Sequence, residues 1–82
     1  MSIEFSKLRS ITARELDRAL CADGFVLKRQ RGSHRRFYHA DGCRVTLTFH
    51  HGKDTFPPKT LRSIIEIQAQ WTEEDLKRLH LF

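Results

Sequence analysis

The spacing of apolar residues changes several times along the 82-residue chain, and each change marks an element. Ala13, Leu16, Ala19 and Leu20 recur at helical spacing on one stripe. Thr12-Ala13-Arg14-Glu15 ahead of them reads as a capping box, in which the Thr12 hydroxyl accepts from a first-turn amide and Glu15 reaches back to the cap. Gly24 supplies the left-handed residue that ends this helix shortly after Asp23. Phe25 to Arg31 has strand character, Gly32-Ser33 makes a turn, and His34 to His39 forms a second strand. Ala40-Asp41-Gly42-Cys43 then closes a hairpin, for which Asp-Gly predicts a tight type I′ turn. In the third strand Val45, Leu47 and Phe49 alternate with Arg44, Thr46, Thr48 and His50, the period of a sheet with one buried and one wet face. Gly52 to Pro58 is a loop, and Pro58 leads into a helix starting near Lys59 or Thr60, with Leu61, Ile64, Ile65 and Ala69 as its apolar stripe. Thr72 is a further cap with Asp75 at the third helical position, and Trp71 and Leu76 have the spacing of a hydrophobic staple. A short final helix carrying Leu76 and Leu79 follows.

The predicted order is α-β-β-β-α with a short C-terminal helix, an α+β class in which helices cover one face of a three-stranded antiparallel sheet. Double-stranded-RNA-binding domains share that arrangement. The length suits one compact domain, here residues 11–82, preceded by an extended lead-in at 1–10. Every apolar run is brief and broken by charge, so no membrane-spanning segment is expected. The N-terminus lacks the basic start and apolar stretch of a secretory signal, which points to the cytoplasm. Cys21 and Cys43 are accordingly expected as thiols, small buried residues without the close spacing of a zinc or redox pair.

Charge alters the picture through its placement. The chain carries a net +5, yet between Gly24 and Lys53 seven cations (Lys28, Arg29, Arg31, Arg35, Arg36, Arg44 and Lys53) stand against Asp41 alone, so this segment holds +6 and the remainder −1. Such concentration points to a polyanion, because each phosphate neutralised releases counterions.

Strand alternation then predicts who shares the open face. With Phe37 in the core, Arg35 and His39 lean to its side, while His34, Arg36 and Tyr38 project the other way, beside Thr46, Thr48 and His50 and with Lys28 and Gln30 as neighbours from the first strand. A wet imidazole among cations suits RNA cleavage without metal: the 2′-hydroxyl loses a proton as it attacks phosphorus, the 5′-oxygen gains one, and cations offset the growing charge. His34 is the candidate general base, leaving a 2′,3′-cyclic phosphate, with His50 or His51 as general acid. Lys28, Arg31, Ser33, Arg35, Arg36, Tyr38, Arg44, His50 and Lys53 are the expected RNA contacts, and Gly32 is the structural turn. His50-His51 is no metal site by this reading, since adjacent strand residues face apart and no Cys or carboxylate cluster accompanies them. No cofactor is expected. Two other functions compete: a noncatalytic RNA-binding module, which needs no histidine on the face, and a protein-interaction domain, whose RNA affinity would be weak.

Arg29-Gln30-Arg31-Gly32-Ser33-His34-Arg35-Arg36-Phe37 resembles the R-Q-x-G-S-H-x-x-F signature of HicA toxins, the RNA-cleaving half of HicA/HicB toxin–antitoxin pairs. Asp41-Gly42 with Arg44-Val45-Thr46 is similar to the family's D-G-x-R-V-T hairpin, Thr60-Leu61-Arg62-Ser63-Ile64-Ile65 to its T-L-R-S-I-L helix, and Gln68-Ala69 to its Q-A-G. The likeness runs from about Thr12 to Leu79. It implies that His34 is the catalytic histidine, that Gly32 is the turn presenting it and Ser33 its small polar neighbour. It further implies a fold like that of double-stranded-RNA-binding domains, cleavage of messenger RNA without a cofactor, and silencing by a HicB antitoxin that covers the histidine. Three positions depart from the family pattern: Lys59 and Gln70 replace glycines, and His50 stands where proline is frequent.

Overall fold

The structure, a computed structural model, describes residues 10–81, so the lead-in at 1–10 lies outside it apart from Ser10. The first helix, α1, spans Ala13–Ala22. Thr12 and Glu15 form the capping box in full: the Thr12 hydroxyl accepts from the Glu15 amide at 3.2 Å, and the Glu15 carboxylate accepts from the Thr12 amide at 3.1 Å. Two further first-turn amides, of Ala13 and Arg14, donate to the carbonyls of Asp54 and Gly52, which ties the loop after the third strand to the helix start. Gly24, at φ 96°, ends the helix. Ala13, Leu16, Ala19 and Leu20 are buried, as their spacing requires. Cys21 falls off that stripe and is exposed, against the expectation of a buried thiol; Cys43 is half-buried against the core, and both are free.

Strands β1 (Val26–Arg31), β2 (His34–Tyr38) and β3 (Arg44–Thr48) make an antiparallel meander with β2 in the centre. Gly32 alone takes positive φ in the two-residue β1–β2 loop, the requirement of a type II′ turn. The β2–β3 connection corrects the expected type I′ turn. Of Asp41 and Gly42 only Gly42 has positive φ, and the bonds from the Gly42 amide to the His39 carbonyl and from the His39 amide to the Cys43 carbonyl enclose a three-residue loop with glycine at its left-handed position. The exposed Asp41 side chain bonds back to its own loop instead, accepting the Cys43 amide at 2.8 Å, and that bond holds its carboxyl below the ordinary carboxylate range. β1 contains a bulge between Leu27 and Arg29.

Helix α2 begins at Pro58, one residue before the expected start, and spans Pro58–Arg62; proline costs nothing at a first helical position, where its missing N–H has no partner to lose. The chain continues without a break as a π-helical segment, Ser63–Gln68, rather than as the regular helix its apolar stripe predicts. Leu61, Ile64, Ile65 and Ala69 are all buried, and Ile67 faces solvent. The segment ends at Gln70, which takes the left-handed conformation at φ 57°, at the position where the family pattern has glycine. The last helix, α3 (Glu73–Arg78), has its own capping box between Thr72 and Asp75, and the staple residues Trp71 and Leu76 are both buried.

The helices share one side of the sheet. Phe37 from β2, Val45 and Leu47 from β3, Leu16 and Leu20 from α1, and Leu61, Ile64, Ile65 and Leu76 form one closed apolar core. Asp23 links its elements at the rim: the Trp71 indole donates to its Oδ2 at 2.7 Å, Arg78 donates to its Oδ1 at 2.6 Å, and its carbonyl lies 2.9 Å from Nε2 of His39. The Asp41 amide donates to Nδ1 of His39, which leaves Nε2–H as the donor to the Asp23 carbonyl. No helix among the described residues is long and apolar enough to cross a membrane.

Candidate functional site

A two-residue loop pairs the residues that flank it, so the Gly32-Ser33 turn decides which side chains meet. Arg31 stands opposite His34 and Arg29 opposite Arg36; on the other side of β2, Thr48 is the partner of His34, Thr46 of Arg36 and Arg44 of Tyr38. Directly paired residues point to the same face. The uncovered face of the sheet therefore gathers His34, Arg36 and Tyr38 from β2, Arg29 and Arg31 from β1, and Arg44, Thr46 and Thr48 from β3. His34 is exposed at the first position of β2. The turn before it is braced by the Phe49 amide, which donates to the Ser33 carbonyl at 2.7 Å and so clips the loop to the end of β3.

His34 opens onto a cavity of about 270 Å³ lined by Arg29, Arg31, His34, Arg36 and Thr46. A larger hollow, about 860 Å³, lies between the π-helical segment and α3 and is lined by Glu66, Glu73 and Glu74, with Lys77 as its one cation. Its carboxylates repel a phosphodiester, and it holds no histidine, so the smaller cationic cavity is the one that matches the chemistry read from the sequence. At the far end of β2 the Arg44 guanidinium lies over the Tyr38 ring, 5.1 Å from its centre, leaving an aromatic surface at the edge of the cationic patch.

Not every residue singled out from the sequence belongs to this face. Lys28 and Gln30 do not: Lys28 occupies the bulge, and Gln30 pairs with Arg35 on the opposite side. Arg35 turns toward the helices, its guanidinium 3.9 Å from the centre of the Phe49 ring and 3.4 Å from Asp17, with its Nε buried and unpartnered. Ser33 is in the turn and contributes its carbonyl to the fold. Lys53 is exposed in the loop bonded to the start of α1, off the sheet. His50 and His51 follow β3; neither lines the His34 cavity. Arg29 is the residue that side-chain alternation within β1 misses, because the bulge at Lys28 breaks that alternation. Counting back from the two-residue turn finds it.

Among the described residues no three His, Cys, Asp or Glu side chains come together as a metal ion would need. The Cys21 thiol is pushed up by partial burial of its sulfur, then by Asp17, although the residue as a whole is exposed, which makes it a poor nucleophile.

Helices confined to one side of a three-stranded meander, with an arginine-rich open face around one exposed imidazole, define a small α+β domain that presents a cationic sheet. The family model for the HicA toxin of bacterial toxin–antitoxin systems matches residues 13–71, well over half of the chain. The chain belongs to that family: it is a toxin of a toxin–antitoxin pair, and the partner such a pair implies is a HicB antitoxin. No curated protein matches the chain.

Proposed function

We propose that this toxin is a metal-independent endoribonuclease that cleaves messenger RNA, with His34 moving the proton that starts the reaction. Support comes chiefly from one observation: the histidine in the G-S-H position of the family signature is exposed on the open face, in a cavity whose other charged groups are arginines. In this mechanism the neutral imidazole takes the proton of a ribose 2′-hydroxyl as its oxygen attacks the adjacent phosphorus. The bond from phosphorus to the 5′-oxygen breaks, that oxygen takes a proton from the solvent that reaches the open sheet, and a 2′,3′-cyclic phosphate and a 5′-hydroxyl remain. Guanidinium groups stabilise the additional charge on the non-bridging oxygens as it develops. Arg31, Arg36 and Arg44 keep their expected role as RNA contacts and Arg29 joins them, with Tyr38 offering a ring on which a base can stack. His50 and His51, away from the cavity, are less suited to the general-acid step than the sequence reading supposed. The HicB antitoxin silences such an enzyme by covering His34.

The test is incubation of RNA with wild-type and His34→Ala protein in a chelator. The reading expects fragments from the wild type, and a rate lower by about 10²–10⁴ from the variant, the usual worth of a positioned base. A His34→Ala protein that cuts as fast as the wild type overturns it. A noncatalytic RNA-binding module draws support from the same charge and the same tyrosine; it predicts full RNA binding and no cutting from both proteins.

A further inference from the structure

The cavity beside His34 holds cations that no ion pair among the described residues compensates. Arg29 and Arg36 are direct cross-strand partners, and like charges opposed in this way destabilise a sheet. Arg31 adds a third guanidinium to the same hollow. Ion pairs form elsewhere: Arg35 with Asp17, Lys77 with Glu73, and Arg78 with both Asp23 and Asp75. Arg44 at least has the Tyr38 ring beneath it. A local arrangement that works against stability and is left uncorrected marks a place selected for binding.

We propose that Arg29 and Arg36 form a phosphate subsite separate from the point of cleavage: they grip the phosphodiester next to the one that is cut, while Arg31, the partner of His34, addresses the scissile group itself. The inference rests on the reading of His34 as the proton-transfer residue. Same-face residues of a strand stand about 6.4–6.8 Å apart, two residues' rise. That is close to one phosphate step of an extended polynucleotide, so His34 and Arg36 meet successive phosphates of a strand lying along β2. Tyr38 is one step further on, where an unpaired base can stack.

The subsite is tested with an oligoribonucleotide cut at one defined position, in which a methylphosphonate replaces each phosphate in turn. For the wild type, neutralising the phosphate on one side of the scissile group lowers kcat/KM by about tenfold, the worth of one charge-assisted hydrogen bond. In an Arg29→Gln/Arg36→Gln protein the same replacement changes the rate by less than about twofold. Equal sensitivity to the replacement in both proteins overturns the subsite. Melting curves give a readout independent of cleavage: without anions the Arg36→Gln protein melts about 1–5 °C above wild type, because the opposed charges are relieved, and inorganic phosphate stabilises only the wild type. A variant that melts lower, or that gains as much from phosphate, also rejects it. If His34→Ala cuts RNA as well as wild type, the nuclease reading falls while the melting experiment still decides whether Arg29 and Arg36 bind phosphate.

Discussion

Single residues carry much of what distinguishes this chain. Gln70 replaces a glycine of the family pattern, yet the backbone there still turns left-handed, at φ 57°. A side chain in that region crowds the following carbonyl, at a cost of about 1–2 kcal/mol, and glycine returns part of the gain through its freer unfolded state. Gln70→Gly is therefore expected to stabilise the domain by about 0.5–1 kcal/mol in urea titrations. Asp23 works in the opposite sense. Its two carboxylate oxygens receive the Trp71 indole and the Arg78 guanidinium, and its carbonyl receives His39, so one residue joins the end of α1 to α3 and to the β2–β3 hairpin. Asp23→Ala leaves the N–H of the buried Trp71 indole unpaired and is expected to lower stability by about 2 kcal/mol, read as a shift of the urea midpoint with an unchanged slope.

At the scale of elements, local chemistry was readable and non-local geometry was not. Both capping boxes follow from residues three apart in sequence, Thr12 with Glu15 and Thr72 with Asp75, and both formed. The Lys28 bulge depends on pairing with β2, and no residue type in β1 announces it; it moves Arg29 onto the open face in place of Lys28. The π-helical turns of Ser63–Gln68 leave an apolar stripe that a regular helix would also show. What they accompany is long-range: Gln68 accepts the Thr46 amide at 2.8 Å and so covers an outward N–H of the edge strand β3. Asp41-Gly42 does match the type I′ signature, but the three-residue loop lets Asp41 bond the Cys43 amide, which a two-residue turn would not. A pH dependence belongs to α3. The Thr72 amide, with help from Arg78, holds the Asp75 carboxyl below its ordinary value of 3.8. A depressed carboxylate stabilises the fold above its unfolded value, and that contribution disappears as pH falls through the lower, folded one. Asp75→Asn should therefore be less stable than wild type above pH 3.8 and converge with it below, when urea midpoints are compared across pH.

For the molecule as a whole, charge is sorted between surfaces. Arginines collect on the open sheet, while Glu66, Glu73 and Glu74 outnumber Lys77 around the hollow between the π-helical segment and α3. A polyanion is thereby drawn to one face and turned from the other. With Arg29, Arg31, Arg36 and Arg44 engaged, binding of single-stranded RNA by the His34→Ala protein should fall with salt at a logarithmic slope of about −3, and each Arg→Gln change there should flatten it by about 0.7. Binding by itself does not distinguish a nuclease from a passive holder of RNA; the ends of the products do. An RNA cut by the wild-type protein in a chelator should carry 2′,3′-cyclic phosphate and 5′-hydroxyl termini, and the same RNA with a 2′-deoxy sugar at the cut site should stay whole. Termini bearing a 3′-hydroxyl and a 5′-phosphate, or cutting that survives loss of the 2′-hydroxyl, would contradict His34 as the base in this reaction.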